Sequence, residues 1–193
     1  MRRSTICALV AACSLPIAAG AQQPPAAAPA TPQTFTLAGN MIRGYQGLQR
    51  NLLEAAEKMP EASYSFKPTP DVRPFGELVA HVALSQFGTC SMLKGDAAGP
   101  HKGEKDDAAR TKTELVALLK ESTAYCDPVL TALKDEDMVA LTKAGNNQAA
   151  KGLFLASTNT HGNEMYGTMA VYLRLKGIVP PTTERANAAK KSQ

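Results

Sequence analysis

The chain has 193 residues, 44% of them hydrophobic and 5% aromatic with no Trp, a length that suits one domain with an ordinary core and leaves little room for two. Lys and Arg number 21 against 17 Asp and Glu, a formal charge of +4. No basic cluster with interleaved aromatics occurs, which argues against nucleic acid as a partner.

Met1-Arg2-Arg3 opens the chain with positive charge, and residues 5–19 are almost wholly apolar or small, including Ile6, Leu9, Val10, Leu15 and Ile17. Ala19-Gly20-Ala21 then places small residues ahead of Gln22. This is the pattern of a secretory signal peptide over residues 1–21, with an Ala-x-Ala-like cleavage site. The apolar run is short for a membrane span and is broken by Ser14 and Pro16, so a periplasmic or secreted protein without a membrane span is expected. Removal of Arg2 and Arg3 with the leader leaves a formal charge of +2. Val10-Ala11-Ala12-Cys13 also resembles a lipobox, and lipidation at Cys13 is the second route, ending at a membrane surface. Residues 22–33 are rich in Pro and Ala, carry no charge and show no periodicity; a disordered spacer is expected there.

The domain itself is expected over residues 34–183. Residues 37–59 carry Met41, Tyr45, Leu48, Leu52, Ala55 and Met59 at helical spacing, and Pro60 stops them. A loop with two prolines follows over 61–73. The second helix begins near Pro74 and runs to residue 93, with apolar residues around much of its circumference, which predicts burial on more than one side. Residues 95–108 read as a polar connection. The third helix covers 111–133: Thr111 and Glu114 have capping-box spacing, and Pro128 is expected to bend or break it. A short turn over 135–141 and a Gly-Asn-Asn loop lead to the fourth helix, 148–176, which ends at Gly177 with Pro180-Pro181 beyond. Residues 184–193 read as a frayed polar tail. No stretch sustains strand alternation, and the fold class is all-α, a four-helix bundle. A homodimer is compatible with a bundle of this size.

Cys7 and Cys13 belong to the leader, leaving Cys90 and Cys126. In an oxidising compartment such a pair forms a disulfide. It would close a loop of about 35 residues, worth roughly 3–4 kcal/mol in the chain-entropy model. Two buried free thiols are the alternative.

Three histidines are available. His101 lies among Gly, Lys and Glu and reads as a solvated loop residue. His81 on the second helix and His161 on the fourth both sit near inward-facing positions, the kind of pair that holds a metal in a bundle core. A hydrogen-bonded core cluster is the plainer alternative. Glu164, one turn after His161, is a candidate ligand or general base, and Tyr166 and Tyr172 are candidate hydrogen-bond donors. No Gly-x-Ser-x-Gly, phosphate loop, Cys-x-x-Cys or His-Glu-x-x-His occurs. Cys90 stands nine residues after His81, more than about 13 Å along a helix at 1.5 Å per residue, too far for a Cys–His nucleophile.

The stretch Phe75-Gly76-Glu77-Leu78-Val79-Ala80-His81-Val82-Ala83 resembles the first histidine motif of the DinB/YfiT-like superfamily. Tyr172-Leu173-Arg174-Leu175-Lys176-Gly177-Ile178-Val179-Pro180-Pro181 is similar to that family's closing stretch. The resemblance covers residues 37–182. It implies a four-helix bundle holding a divalent metal through three histidines, one from the second helix and two, four residues apart, from the last. It also implies, for several members, thiol-dependent S-transferase or isomerase activity with mycothiol, bacillithiol or a related cofactor. His81 then matches the first ligand and His161 the second, while the third falls on Met165. A thioether is a poor ligand for Zn, Ni or Mn and an acceptable one for Cu, and Glu164 is the candidate substitute. The expected function is an exported metal-binding bundle with hydrolase- or transferase-like chemistry, in which Glu164 is a ligand or the general base. The alternative is a non-enzymatic bundle with a degenerate metal site that binds a small molecule or a protein partner in the cell envelope.

Overall fold

The computed structural model describes residues 34–192, so the expected signal peptide, the Pro/Ala spacer and Cys13 lie outside the described residues. Helix α1 (Leu37–Lys58) starts where Thr36 Oγ1 accepts from Gly39 N at 3.1 Å, which satisfies one of the free amides of the first turn. Tyr45, Leu48, Leu52 and Ala55 bury one face of it. Helix α2 (Phe75–Lys94) follows Pro74 and stops at Gly95, whose left-handed φ of 71° suits a residue without a Cβ. Helix α3 (Lys112–Leu130) opens with the expected capping box between Thr111 and Glu114. Helix α4 (Lys151–Leu175) closes on Gly177, where Ile178 N donates to Leu173 O at 2.9 Å. No helix among the described residues is long and apolar enough to cross a membrane.

The helices form a ring in the order α1, α3, α2, α4, each packed against its two neighbours. That arrangement explains the apolar circumference of α2, which faces α3 on one side and α4 on the other. The main core gathers Leu52, Phe75, Val79, Phe87, Leu119, Met169 and Leu173, all within 1% of full burial. Each such side chain contributes on the order of 1.5–3 kcal/mol of burial. A second cluster surrounds the Cys90–Cys126 disulfide and includes Tyr45, Leu130 and Leu155. The bridge ties α2 to α3, with Cα atoms 5.5 Å apart.

Three features differ from the sequence expectation. Residues expected as loop and helix start form a two-stranded antiparallel hairpin, β1 (Leu141–Ala144) with β2 (Asn147–Ala150), pairing Leu141 with Ala150 and Ala144 with Asn147. Gly145 at φ 61° makes its tight turn, and α4 consequently begins at Lys151 rather than at 148. Helix α3 runs through Pro128 and ends at Leu130 rather than at 133, with Thr131 N still donating to Asp127 O at 3.0 Å. The expected frayed tail is a helix, α5 (Pro181–Lys191), with proline at its first position. It is fastened by Thr182, whose amide donates to Tyr166 Oη at 3.1 Å, and by Arg185, which bonds Glu54 and Asn51.

Candidate functional site

Helices α2 and α4 bring His81 and His161 together. Their rings meet edge to face with centroids 4.9 Å apart, although eighty residues of chain separate them. Beside them lies a cavity of about 250 Å³ lined by His81, Val82, Ser85, Gln86 and Thr89 of α2 and by Ser157, Thr158, His161 and Gly162 of α4. The helical period explains the grouping: Val82, Ser85, Gln86 and Thr89 stand three and four apart on one face, as do Ser157, Thr158, His161 and Gly162. Gly162 is needed for the close approach of α1, since a Cβ there would come within 2.6 Å of Leu48 Cδ2.

The two imidazoles have different surroundings. His81 Nδ1 lies 2.8 Å from Asp106 Oδ2, and Arg73 Nε stands 3.6 Å from the same carboxylate oxygen. A carboxylate accepts, so Nδ1 of the neutral ring carries the hydrogen and Nε2 the lone pair, an orienting contact of the kind that fixes tautomer in working histidines. His161 Nε2 is buried without a hydrogen-bond partner among the described residues. Burial lowers the His161 pKa below the usual histidine value; the His81 ring and Arg73 push the same way, against Glu164 and Asp106. The pair therefore offers imidazole nitrogens that can accept a hydrogen bond or a metal.

Behind the cavity runs a buried amide and hydroxyl network. Gln86 Nε2 donates to Gln49 Oε1 at 2.9 Å, Ser122 Oγ donates to Gln86 Oε1 at 2.9 Å, and Thr123 Oγ1 donates to Gln49 Oε1 at 3.1 Å. Gln49 Nε2 is buried with no partner among the described residues.

The other residues singled out in the sequence lie elsewhere. Glu164 is 70% exposed and its Oε2 stands 4.0 Å from His161 Nδ1, too far for a hydrogen bond, so it acts on the ring as a nearby charge at the surface. Met165 is buried but lines a neighbouring cavity with Arg73, Glu77, Leu78, Thr168 and Tyr172, not the one that His161 lines. Tyr166 bonds Thr182 of α5, and Tyr172 Oη donates to Arg73 O at 2.9 Å. His101 lies in the expected connection and is partly exposed, but it is not free: its ring packs on Phe87 at 4.7 Å, and its nitrogens bond Glu104 at 2.7 Å and Glu121 at 3.2 Å. Asp106, Gln86, Ser85 and Thr158 were missed in the sequence. Polar residues at 85, 86 and 89 inside an otherwise apolar helix were the available signal; Asp106 gave none.

These positions test the metal implied by the resemblance. Among the described residues no three His, Cys, Asp or Glu side chains gather as a metal cluster. Two imidazoles converge, with the carboxylate of Glu164 turned to solvent and the thioether of Met165 lining a different cavity. The donor set does not fit a three-ligand divalent site.

The DinB superfamily pattern matches residues 45–164. The uncharacterized protein YjoA of Bacillus subtilis (strain 168) is 28% identical over 127 residues, which cover 64% of this chain and 80% of that protein. Among solved structures, a DinB-like protein from Bacillus cereus ATCC 10987 superposes with a TM-score of 0.59 at 16% identity, covering 73% of this chain and 93% of that one. The crystal structure of YjoA gives 0.57 at 21% identity, covering 72% and 92%. A conserved protein from Enterococcus faecalis gives 0.55 at 16%, covering 74% and 98%. The structural likenesses show a shared fold.

Proposed function

The chain belongs to the DinB superfamily, and from that premise we propose that it is a small-molecule-binding bundle whose site is the cleft between α2 and α4, with His81 and His161 as its polar centre. One observation carries this reading: the histidines of two separate helices meet at a formed cavity while a buried ring nitrogen of His161 is left without a partner. A buried polar atom without a hydrogen bond costs roughly 1–3 kcal/mol, a cost that a bound ligand with a matching group removes. In this reading His161 accepts from the ligand, and Asp106 positions His81 to do the same. Glu164 remains at the rim and takes no proton from the ligand.

A metal ion is the second reading, favoured by the same unpartnered nitrogen. Of Zn, Ni, Mn and Cu, copper tolerates a pair of imidazoles best. Calorimetric titration of the metal-free chain with each of the four, beside a His161→Ala variant, decides between the two. The small-molecule reading expects no stoichiometric binding at micromolar affinity. Stoichiometric uptake that disappears in His161→Ala would replace it with the metal reading.

We also propose that the protein is exported. The leader pattern of residues 1–21 motivates this, and the Cys90–Cys126 bridge supports it, since disulfides persist in oxidising compartments.

A further inference from the structure

We propose that the α2–α4 cleft selects an uncharged small molecule carrying amide or hydroxyl groups, and that Gln86 reads it. The inference rests on the assignment of this cleft as the binding site.

The lining supplies hydrogen bonds and no formal charge. Ser85, Gln86, Thr89 and Thr158 accompany the two histidines, and no Lys, Arg, Asp or Glu lines the cavity. The charged groups that contact the imidazoles are not among the lining residues: Asp106 at His81 Nδ1 with Arg73 on the same carboxylate, and the exposed Glu164 4.0 Å from His161 Nδ1. An ion entering the cleft would lose water and gain no opposite charge, an unfavourable exchange.

Gln86 is built to discriminate. It is 4% exposed, and both ends of its amide are already held, Nε2 by Gln49 and Oε1 by Ser122. A glutamine amide has two N–H donors and a carbonyl with two lone pairs, so the held group keeps one donor and one acceptor that Gln49 and Ser122 do not use. That pattern matches a carboxamide, or a hydroxyl that donates and accepts together. A site whose buried polar groups are fixed rejects ligands that leave them unpaired.

The test uses three probes of similar size, propionamide, propionate and propylammonium, titrated into the purified chain while the side-chain signals of His81 and His161 are followed by NMR. Propionamide is expected to shift both histidines and to bind at least tenfold more tightly than either ion. Gln86→Leu should remove that preference. Because this change also removes one buried partner each from Gln49 and Ser122, Ser122→Ala provides the second variant: it keeps Gln86 but releases the carbonyl end of its amide, and the preference should fall without loss of fold. If propionate or propylammonium binds at the histidines as well as propionamide, the site stands and the neutral class is wrong. If Ser122→Ala and Gln86→Leu both fold and keep the full preference, Gln86 is not the reader. If none of the three probes moves either histidine, the assignment of the cleft fails together with this inference.

Discussion

His161 and His101 respond to acid with opposite sign. Burial holds the His161 pKa below its ordinary value. As pH falls through the usual histidine range the unfolded chain takes up that proton first, so the native state loses stability. For His101, burial opposes the charge, but hydrogen bonds to Glu104 and Glu121 outweigh it and raise the pKa. Its contribution is therefore complete below the unfolded value and disappears as pH rises through the raised one. Denaturation midpoints measured between about pH 5 and pH 8 should separate the two. His161→Gln is expected to flatten the acid-side loss, whereas His101→Asn should weaken the protein more at the acid end than at the alkaline end. His81 and His161 were readable from helical position, because residues on inward faces of two bundle helices meet. The orienting role of Asp106 was not, since a carboxylate in an aperiodic connection gives no sign of which imidazole it reaches.

Helix α2 joins α3 through a covalent bond as well as through packing. The bridge spans 36 residues, and removing it should cost about 3–4 kcal/mol in the chain-entropy model. For a chain of this size that corresponds to a fall in Tm of roughly 6–16 °C. Calorimetric scans with and without reductant, and of a Cys90→Ala/Cys126→Ala double variant, check the value; an unchanged Tm would mean that the unfolded chain gains nothing from release of the loop. The four long helices were legible because their apolar periods extend over twenty residues or so. The hairpin was not: each strand has four residues, and Leu141, Thr142, Lys143 and Ala144 offer too few alternations to outweigh the helical pattern beyond them. Helix α5 escaped notice for a different reason. Only Pro181 is buried, so its sequence lacks an apolar face and it is held by Thr182, Arg185 and Glu184 instead.

Over the whole molecule, a single domain follows the expected leader and spacer in the sequence. Intact-mass measurement of protein recovered from the cell envelope should give a chain beginning at Gln22 and two hydrogens lighter than the reduced form. A mass that retains Met1 would remove the case for export, and a diacylglycerol adduct on Cys13 would replace the free form with a tethered one. The bundle class was legible from composition and helix count, while the ring order of helices was not, because it depends on which faces meet across long connections. The cleft itself emerges only from that order, which places α2 against α4 rather than opposite it.

Arg73 belongs to the connection before α2, and Asp106 to the connection after it; the two meet over His81. The Nδ1 edge of His81 is thus held from outside the packed interior, by segments that tolerate sequence change. Substitutions confined to these two connections can therefore re-aim one imidazole between α2 and α4 while every core residue stays in place.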